Sequence, residues 1–354
     1  MKIAIIDADL IGRKRHRFPN LACMKISAHH KAAGDTVMLK TDYDGLDDFD
    51  AVYLSKVFTD TPVPAEVLKV DHVTYGGTGF YYDKAPCLPA SIEHQMPDYH
   101  LYDAWVADKL QHGGKPRDYS IGFLTRGCFR KCDFCVNKNY DRVSVHSPLV
   151  EFHDPARPKI CLLYDSFFGT LCWRELLQEL QSTGKPFQFK QGLDERLLTD
   201  DKCAALFSSK YDGDYIFAFD NVADAQLIEN KIHLARNYTD AVMKFYCFCG
   251  FDRNDRWDAD FWKQDIFDLL FRIEILMRNC CLPYVMRFAR YTDSPYRGMY
   301  ITIARWCNQP SFFKKKSLRE FAICNGLDSA CYRYVADFER RFPEVAPYLD
   351  MKYK

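Results

Sequence analysis

Short apolar runs alternate with helix-length stretches along most of this chain, and that alternation constrains the fold more than any other feature. Residues 119–124, 159–164, 187–191, 215–219, 244–249 and 284–288 read as strands. Residues 172–182, 200–208, 224–236 and 259–278 read as helices between them. Strand–helix units with right-handed crossovers build a parallel sheet, and six of them make a curved, partial version of the eight-unit β/α barrel.

A shorter alternation precedes this one. Residues 2–6, 36–39, 51–55 and 70–75 read as strands, and 21–33 as a helix capped by Asn20 and stopped by Gly34. The pattern implies an open, mainly parallel sheet, whose ligands bind at the carboxyl ends of the strands. Those ends are the loops after Asp7, after Ser55 and at Gly76 to Gly79. Residues 86–114 read as a connector rich in Pro, Tyr, His and Asp, with a flexible boundary at His112-Gly113-Gly114-Lys115-Pro116. The tail, 311–354, reads as helices behind a basic start at Lys314, Lys315 and Lys316.

The chemistry concentrates in one run, Thr-Arg-Gly-Cys-Phe-Arg-Lys-Cys-Asp-Phe-Cys, which places Cys128, Cys132 and Cys135 at spacing C-x3-C-x2-C just after the first strand of the second alternation. Three thiolates on one tight loop can hold three irons of a [4Fe–4S] cube that normally has four cysteine ligands, leaving one iron open to a small molecule. A structural zinc site needs a fourth ligand and usually a second knuckle, and no second pair follows, since Cys161 and Cys172 are isolated. The 15 cysteines of the 354 residues are odd in number and scattered, a pattern of reducing compartments rather than of a disulfide framework.

The cysteine run, with Phe134 just before the last thiol, resembles the signature of the radical S-adenosylmethionine (SAM) superfamily, and the likeness extends over about residues 119–291. The first half resembles the cobalamin-binding type of Rossmann-like domain found ahead of that barrel in one large subclass. Phe18-Pro19-Asn20-Leu21-Ala22, His30-Lys31-Ala32-Ala33-Gly34-Asp35 and Gly76-Gly77-Thr78-Gly79 carry that likeness. It implies a Rossmann-like domain over 1–112, a partial (β/α)6 radical SAM barrel over 113–300 and a helical extension over 301–354. No Asp-x-His-x-x-Gly stretch is present to supply the lower-axial histidine of many cobalamin proteins.

The resemblance also implies a set of cofactor-binding residues at strand carboxyl ends. Asp165 and Ser166 stand where the family meets the methionine amino group of SAM. Lys190, Gln191 and Asp194 end the next strand, and Asp220 and Asn221 stand where an acidic residue often binds ribose hydroxyls. Gly250 permits close approach of adenine, and Arg287 faces a carboxylate of SAM or substrate. The implied reaction is reductive cleavage of SAM by the [4Fe–4S] cluster, starting radical chemistry such as cobalamin-assisted methylation, with an electron donor such as a flavodoxin or ferredoxin. The substrate stays open between nucleic acid, peptide and small molecule.

Two other readings remain at this level. Cys247-x-Cys249 lies on one face of a strand, and with Cys280-Cys281 nearby it could ligate a second cluster, as in methylthiotransferase-like sulfur insertion. Buried cysteine packing is the plainer account of these thiols, and of Cys23, Cys324 and Cys331. The alternative outside enzymes is a metal- or cluster-bearing nucleic-acid-binding protein without catalysis, for which Arg13, Lys14, Arg15, His16 and Arg17 would be a phosphate site. Lys+Arg and Asp+Glu both total 48, which removes the simplest argument for global nucleic-acid binding. The acidic start is unlike a secretion signal, and no apolar run reaches the ~18 residues of a membrane span, so a cytoplasmic protein is expected.

Overall fold

The computed structural model describes residues 1–13, 18–113, 118–163 and 166–353. The chain divides into two compact units, Met1–Phe187 and Gln188–Lys354.

In the first unit, β1 (Lys2–Asp7) runs directly into α1 (Ala8–Gly12), followed by α2 (Leu21–Ala32), β2 (Thr36–Lys40), β3 (Ala51–Ser55) and β4 (Val73–Gly76). The four strands form a parallel sheet in the order β2-β1-β3-β4. The sequence turns from one side of β1 to the other, so the β1/β3 edge is the topological switch point. β1 is buried on both faces because its side chains alternate between two cores. Ile3 and Ile5 meet Cys23 and Ile26 of α2, whereas Ala4 and Ile6 meet Val52, Leu54 and Val67. Asn20 caps α2 as its sequence suggests, accepting from the backbone N–H groups of Ala22 and Cys23.

Then come α3 (Thr78–Tyr81), α4 (Ala90–Glu93) and α5 (Asp103–Gln111). The segment read as a weakly periodic connector thus contains helices. Its anchors are buried aromatics with polar tips rather than an apolar stripe. The Tyr99 hydroxyl donates to the Phe152 carbonyl at 2.5 Å and accepts from Ile121 N–H at 2.8 Å. The Tyr102 hydroxyl donates to buried Asp7 at 2.8 Å. Residues 114–117 of the expected boundary lie outside the described residues.

β5 (Ser120–Gly122) is shorter than expected, because the chain beyond it enters an antiparallel ribbon of β6 (Thr125–Arg126) and β7 (Ser144–Val145). β8 (Ile160–Leu162) pairs with β5 in parallel, and α6 (Trp173–Ser182) follows. Expected strand 70–75 forms only over β4, since Val73 N–H bonds the Val70 carbonyl in a turn that follows a 3-10 segment.

β9 (Phe187–Phe189) begins at the division between the units. The second unit continues with α7 (Asp200–Phe207), β10 (Tyr215–Ala218), α8 (Ala225–Arg236), β11 (Met243–Cys249), α9 (Ala259–Arg278) and β12 (Leu282–Arg287). β10, β11 and β12 form a parallel sheet in that order, and Leu193 makes a parallel bridge to Phe217. The chain ends in helices α10 (Arg297–Cys307), α11 (Pro310–Phe313), α12 (Leu318–Cys324), α13 (Ala330–Arg341) and α14 (Ala346–Asp350). Ser317 and Glu320 form a reciprocal capping box on α12. No described helix is long and apolar enough to cross a membrane.

Candidate metal centre

Cys128, Cys132 and Cys135 lie on the loop that the β6–β7 ribbon closes at its base. The closure continues beyond the ribbon: His146 N–H donates to the Leu124 carbonyl at 2.8 Å and Ser147 N–H to Phe123 at 3.2 Å. Gly127 opens the loop at φ 92°, and a Cβ there would come within 2.3 Å of the Arg142 carbonyl oxygen at the other end. Glycine is therefore the residue that lets the two ends meet. Lys131 reaches Asp141 at 2.6 Å across the loop.

All three thiols are partly exposed. The backbone turns N–H groups toward two of the sulfurs: Arg130 N–H to Cys128 Sγ and Asn137 N–H to Cys135 Sγ, each at 3.4 Å. Such bonds stabilise negative charge on sulfur, as cluster thiolates require. Among the described residues no group of three or more His, Cys, Asp or Glu side chains gathers as a single-ion site. Ligands of a cube bind different irons at its corners, so they need not converge on one point.

Ser166, one of the expected SAM-binding residues, begins the 3-10 turn Phe167–Gly169 at φ 72°. Its Oγ is buried without a hydrogen-bond partner among the described residues. A Cβ on Gly169 would lie 3.1 Å from that Oγ, 3.0 Å from Phe129 and 2.7 Å from Val143. The turn therefore packs under both ends of the cysteine loop. Asp165 lies outside the described residues.

The base of the loop rests on a charged cluster with no spacing signal in the sequence. Buried Lys25 of α2 pairs with Glu93 at 2.7 Å, and Arg126 and His146 approach the same carboxylate at 3.8 and 3.7 Å. Burial, with Arg126 beside it, pushes the His146 imidazole down to about 4.

The expected residues of the second unit sit at strand ends, and most are engaged with their own surroundings. Gln191 is exposed, and the neighbouring Lys190 carbonyl accepts from the Tyr246 hydroxyl at 3.4 Å. Asp194 holds Arg196 Nε at 2.7 Å. Beyond the last paired residues of β10 and β11 the strands part, and side chains bridge the gap. Asp220 accepts from Phe248 N–H at 2.8 Å. Buried Arg272 of α9 donates to the Phe219 and Phe248 carbonyls at 2.7 and 3.0 Å. Burial pushes the Asp220 carboxyl up. Asn221 caps the next turn through Ala223 N–H at 3.0 Å.

Gly250 has φ 77°, and its N–H donates to Asp265, which also takes the Tyr300 hydroxyl at 2.6 Å. Arg287 is exposed, with its guanidinium 4.4 Å from the Tyr291 ring centre. Sequence reasoning missed Arg272, Asp265, Tyr300 and Glu195, which carry no motif. Glu195 is 2% exposed and accepts from Ala218 N–H at 3.1 Å; burial pushes its carboxyl up to about 8.

Cys247 and Cys249 are buried, and their thiols approach the carbonyls of Phe245 and Met286 at 3.7 and 3.5 Å. Burial pushes the Cys247 thiol up to about 12. Of the basic loop, Arg13 pairs with Asp60 at 2.6 Å and lies over the Phe58 ring. Lys14, Arg15, His16 and Arg17 lie outside the described residues.

The fold is mixed α/β with parallel sheets and many helices, and it carries a three-thiol loop. No family model and no curated protein matches the sequence. Among solved structures the chain is similar to the radical S-adenosylmethionine methyltransferase TsrM from Kitasatospora setae with cobalamin and a [4Fe–4S] cluster bound. That likeness has 9% identity, covers 81% of this chain and 74% of that one, and gives a TM-score of 0.51. The same enzyme with tryptophan substrate and the SAM analogue aza-SAM gives 10% identity, 80% and 72% coverage and a TM-score of 0.52. At such identity the likeness is one of fold.

Proposed function

We propose that this chain is a radical SAM enzyme of the subclass with an N-terminal cobalamin-binding-type domain, catalysing a transferase-like reaction such as methylation. The observation that carries this reading is the cysteine loop: three partly exposed thiols on a ribbon-closed loop, with backbone N–H groups turned toward two sulfurs and the orphaned Ser166 Oγ beneath. The fold likeness to a methyltransferase supports it. We take the domains as 1–112, 113–300 and 301–354, with the strands of the second forming the partial barrel.

In this reading Cys128, Cys132 and Cys135 hold the [4Fe–4S] cluster. When bound, the cluster and SAM supply the one-electron chemistry that cleaves the sulfonium. The chain's own groups bind and orient. The N–H groups of Arg130 and Asn137 offset thiolate charge, Ser166 offers a hydroxyl to the ligand, and Asp220 with Arg272 holds the strand ends rigid.

The candidate edge for cobalamin is the carboxyl end of the N-terminal sheet. There Asp7, Asn20, Ser55 and Tyr102 interlock. Beside it a cavity of about 310 Å³ is lined by Pro19, Met24, Tyr99, Tyr102 and Tyr119. That volume is at the low end for small-molecule sites and suits one arm of a large cofactor rather than its ring. A reductant such as a flavodoxin or ferredoxin would supply the electron.

The test is anaerobic reconstitution with iron, sulfide, SAM and hydroxocobalamin, followed by spectroscopy and product mass analysis. The expected result is about four irons per chain, a cobalamin spectrum changed by binding, and SAM turned over on reduction. Full iron retention by a triple Cys128→Ala, Cys132→Ala, Cys135→Ala variant would overturn the assignment.

A further inference from the structure

We propose that Tyr82 is a positioning residue for the cysteine loop, through which the N-terminal sheet holds the peptide on either side of Cys135. The proposal rests on the cluster reading above and gives the N-terminal domain a role that does not depend on cobalamin.

Tyr82 ends α3 with φ 51° and ψ −117°, a region that residues with a side chain avoid. Such a conformation persists only where the surroundings over-determine it. They do so here from two directions. Upstream, the start of α3 is pinned to the end of β3. A Cβ on Gly77 would lie 2.3 Å from the Lys56 carbonyl oxygen, Gly79 N–H donates to that oxygen at 2.9 Å, and the Thr78 hydroxyl donates to the Val57 carbonyl at 3.0 Å. Downstream, the Tyr82 hydroxyl donates to the carbonyl of Phe134, the residue before Cys135.

The next residue grips the other side of that cysteine. Asp83 takes Lys138 Nζ at 3.3 Å, and its carbonyl accepts from Asn139 Nδ2 at 3.1 Å. Lys138 Nζ also stands 5.8 Å from the Tyr82 ring centre.

Neither α3 nor the turn after it, Tyr82–Lys84, contains a fully buried residue. Phe80 packs half-buried against the core of the sheet and the Tyr75 ring, whereas the bonds of Tyr82 and Asp83 are polar and directed at the loop. The glycines of Gly76-Gly77-Thr78-Gly79 thus have a packing reason, which is to bring the backbone close enough to Lys56 that Tyr82 projects onto the thiol loop.

The experiment compares the full-length wild type with Tyr82→Phe and, as a second variant, Asp83→Ala. In the iron-free proteins, amide hydrogen exchange over residues 132–139 is expected to accelerate about tenfold, the loss of one hydrogen bond, while the thermal midpoint stays near that of the wild type. In reconstituted proteins the half-life of the cluster absorbance in air is expected to fall several-fold. Unchanged exchange over 132–139 in both variants would overturn the proposal. So would exchange that rises evenly over the whole chain as the thermal midpoint falls, because that marks a global structural role. If the wild type takes up no iron, the cluster reading fails, and the iron-free exchange contrast still decides whether Tyr82 holds the loop.

Discussion

Two cysteine motifs in this chain have opposite fates. Cys128, Cys132 and Cys135 sit on a loop, partly exposed, with backbone N–H groups turned toward two of the sulfurs. Cys247 and Cys249 sit on a central strand, buried and close to backbone carbonyls. A thiolate needs donors and access; a thiol in a core needs neither. Motif spacing alone does not separate the two cases, whereas the direction of the surrounding backbone dipoles does.

The sharpest way to break this contrast is to remove each set. Replacing the three loop cysteines by alanine is expected to abolish iron binding and SAM cleavage entirely, whereas Cys247→Ala with Cys249→Ala should leave iron per chain unchanged. Equal iron loss in the two variants, measured on reconstituted protein, would erase the distinction.

Thiol labelling reads the same contrast without iron. With the Cys247 thiol pushed up to about 12, only about one molecule in 10⁴ is thiolate at pH ~8. Mass spectrometry of iron-free protein treated with iodoacetamide should find the loop cysteines modified while Cys247 stays unmodified until the chain unfolds.

Burial also sets a pH dependence in the second unit. Glu195 keeps its proton to about 8 when folded, against 4.5 for an ordinary carboxyl. Between those values the folded state holds the extra proton, so stability falls as pH rises, by on the order of a few kcal/mol in total. Urea unfolding at about pH 5 and about pH 8.5 should show that decline, and Glu195→Gln, which retains an acceptor for Ala218 N–H, should flatten it.

A smaller effect is expected at the loop's entrance. Gly127→Ala forces φ 92° on a residue with a Cβ and pushes it against the Arg142 carbonyl. A cost of about 1–3 kcal/mol should appear as faster iron loss to a chelator. The smallest effect belongs to Cys247→Ala alone, about 1 kcal/mol of stability from the lost sulfur contacts, read as a shift in urea midpoint.

Much of the fold was legible because its signals are local. Residues 51–55, read as a strand, form β3 (Ala51–Ser55), and 259–278, read as a helix, form α9 (Ala259–Arg278), both with the bounds expected. The helix α5 was not legible, because the segment around it is anchored by Tyr99 and Tyr102, whose partners Phe152, Ile121 and Asp7 are distant in sequence. At the site, the three cysteines and the loop glycine stand in one contiguous motif. Asp220 was legible as a strand-end acid, but its bond to Phe248 N–H was not.

By itself, then, the sequence determined the alternation of strands and helices and the thiol spacing, because both depend on periodicity and short-range geometry. Only the tertiary structure decided that the loop is closed by an antiparallel ribbon, that Tyr82 reaches Phe134, that Glu93 gathers Lys25, Arg126 and His146, and that Arg272 joins two strand ends. Those contacts join residues tens of positions apart. Their energies come from burial and from hydrogen bonds that exist only once the chain has closed, so no local pattern announces them.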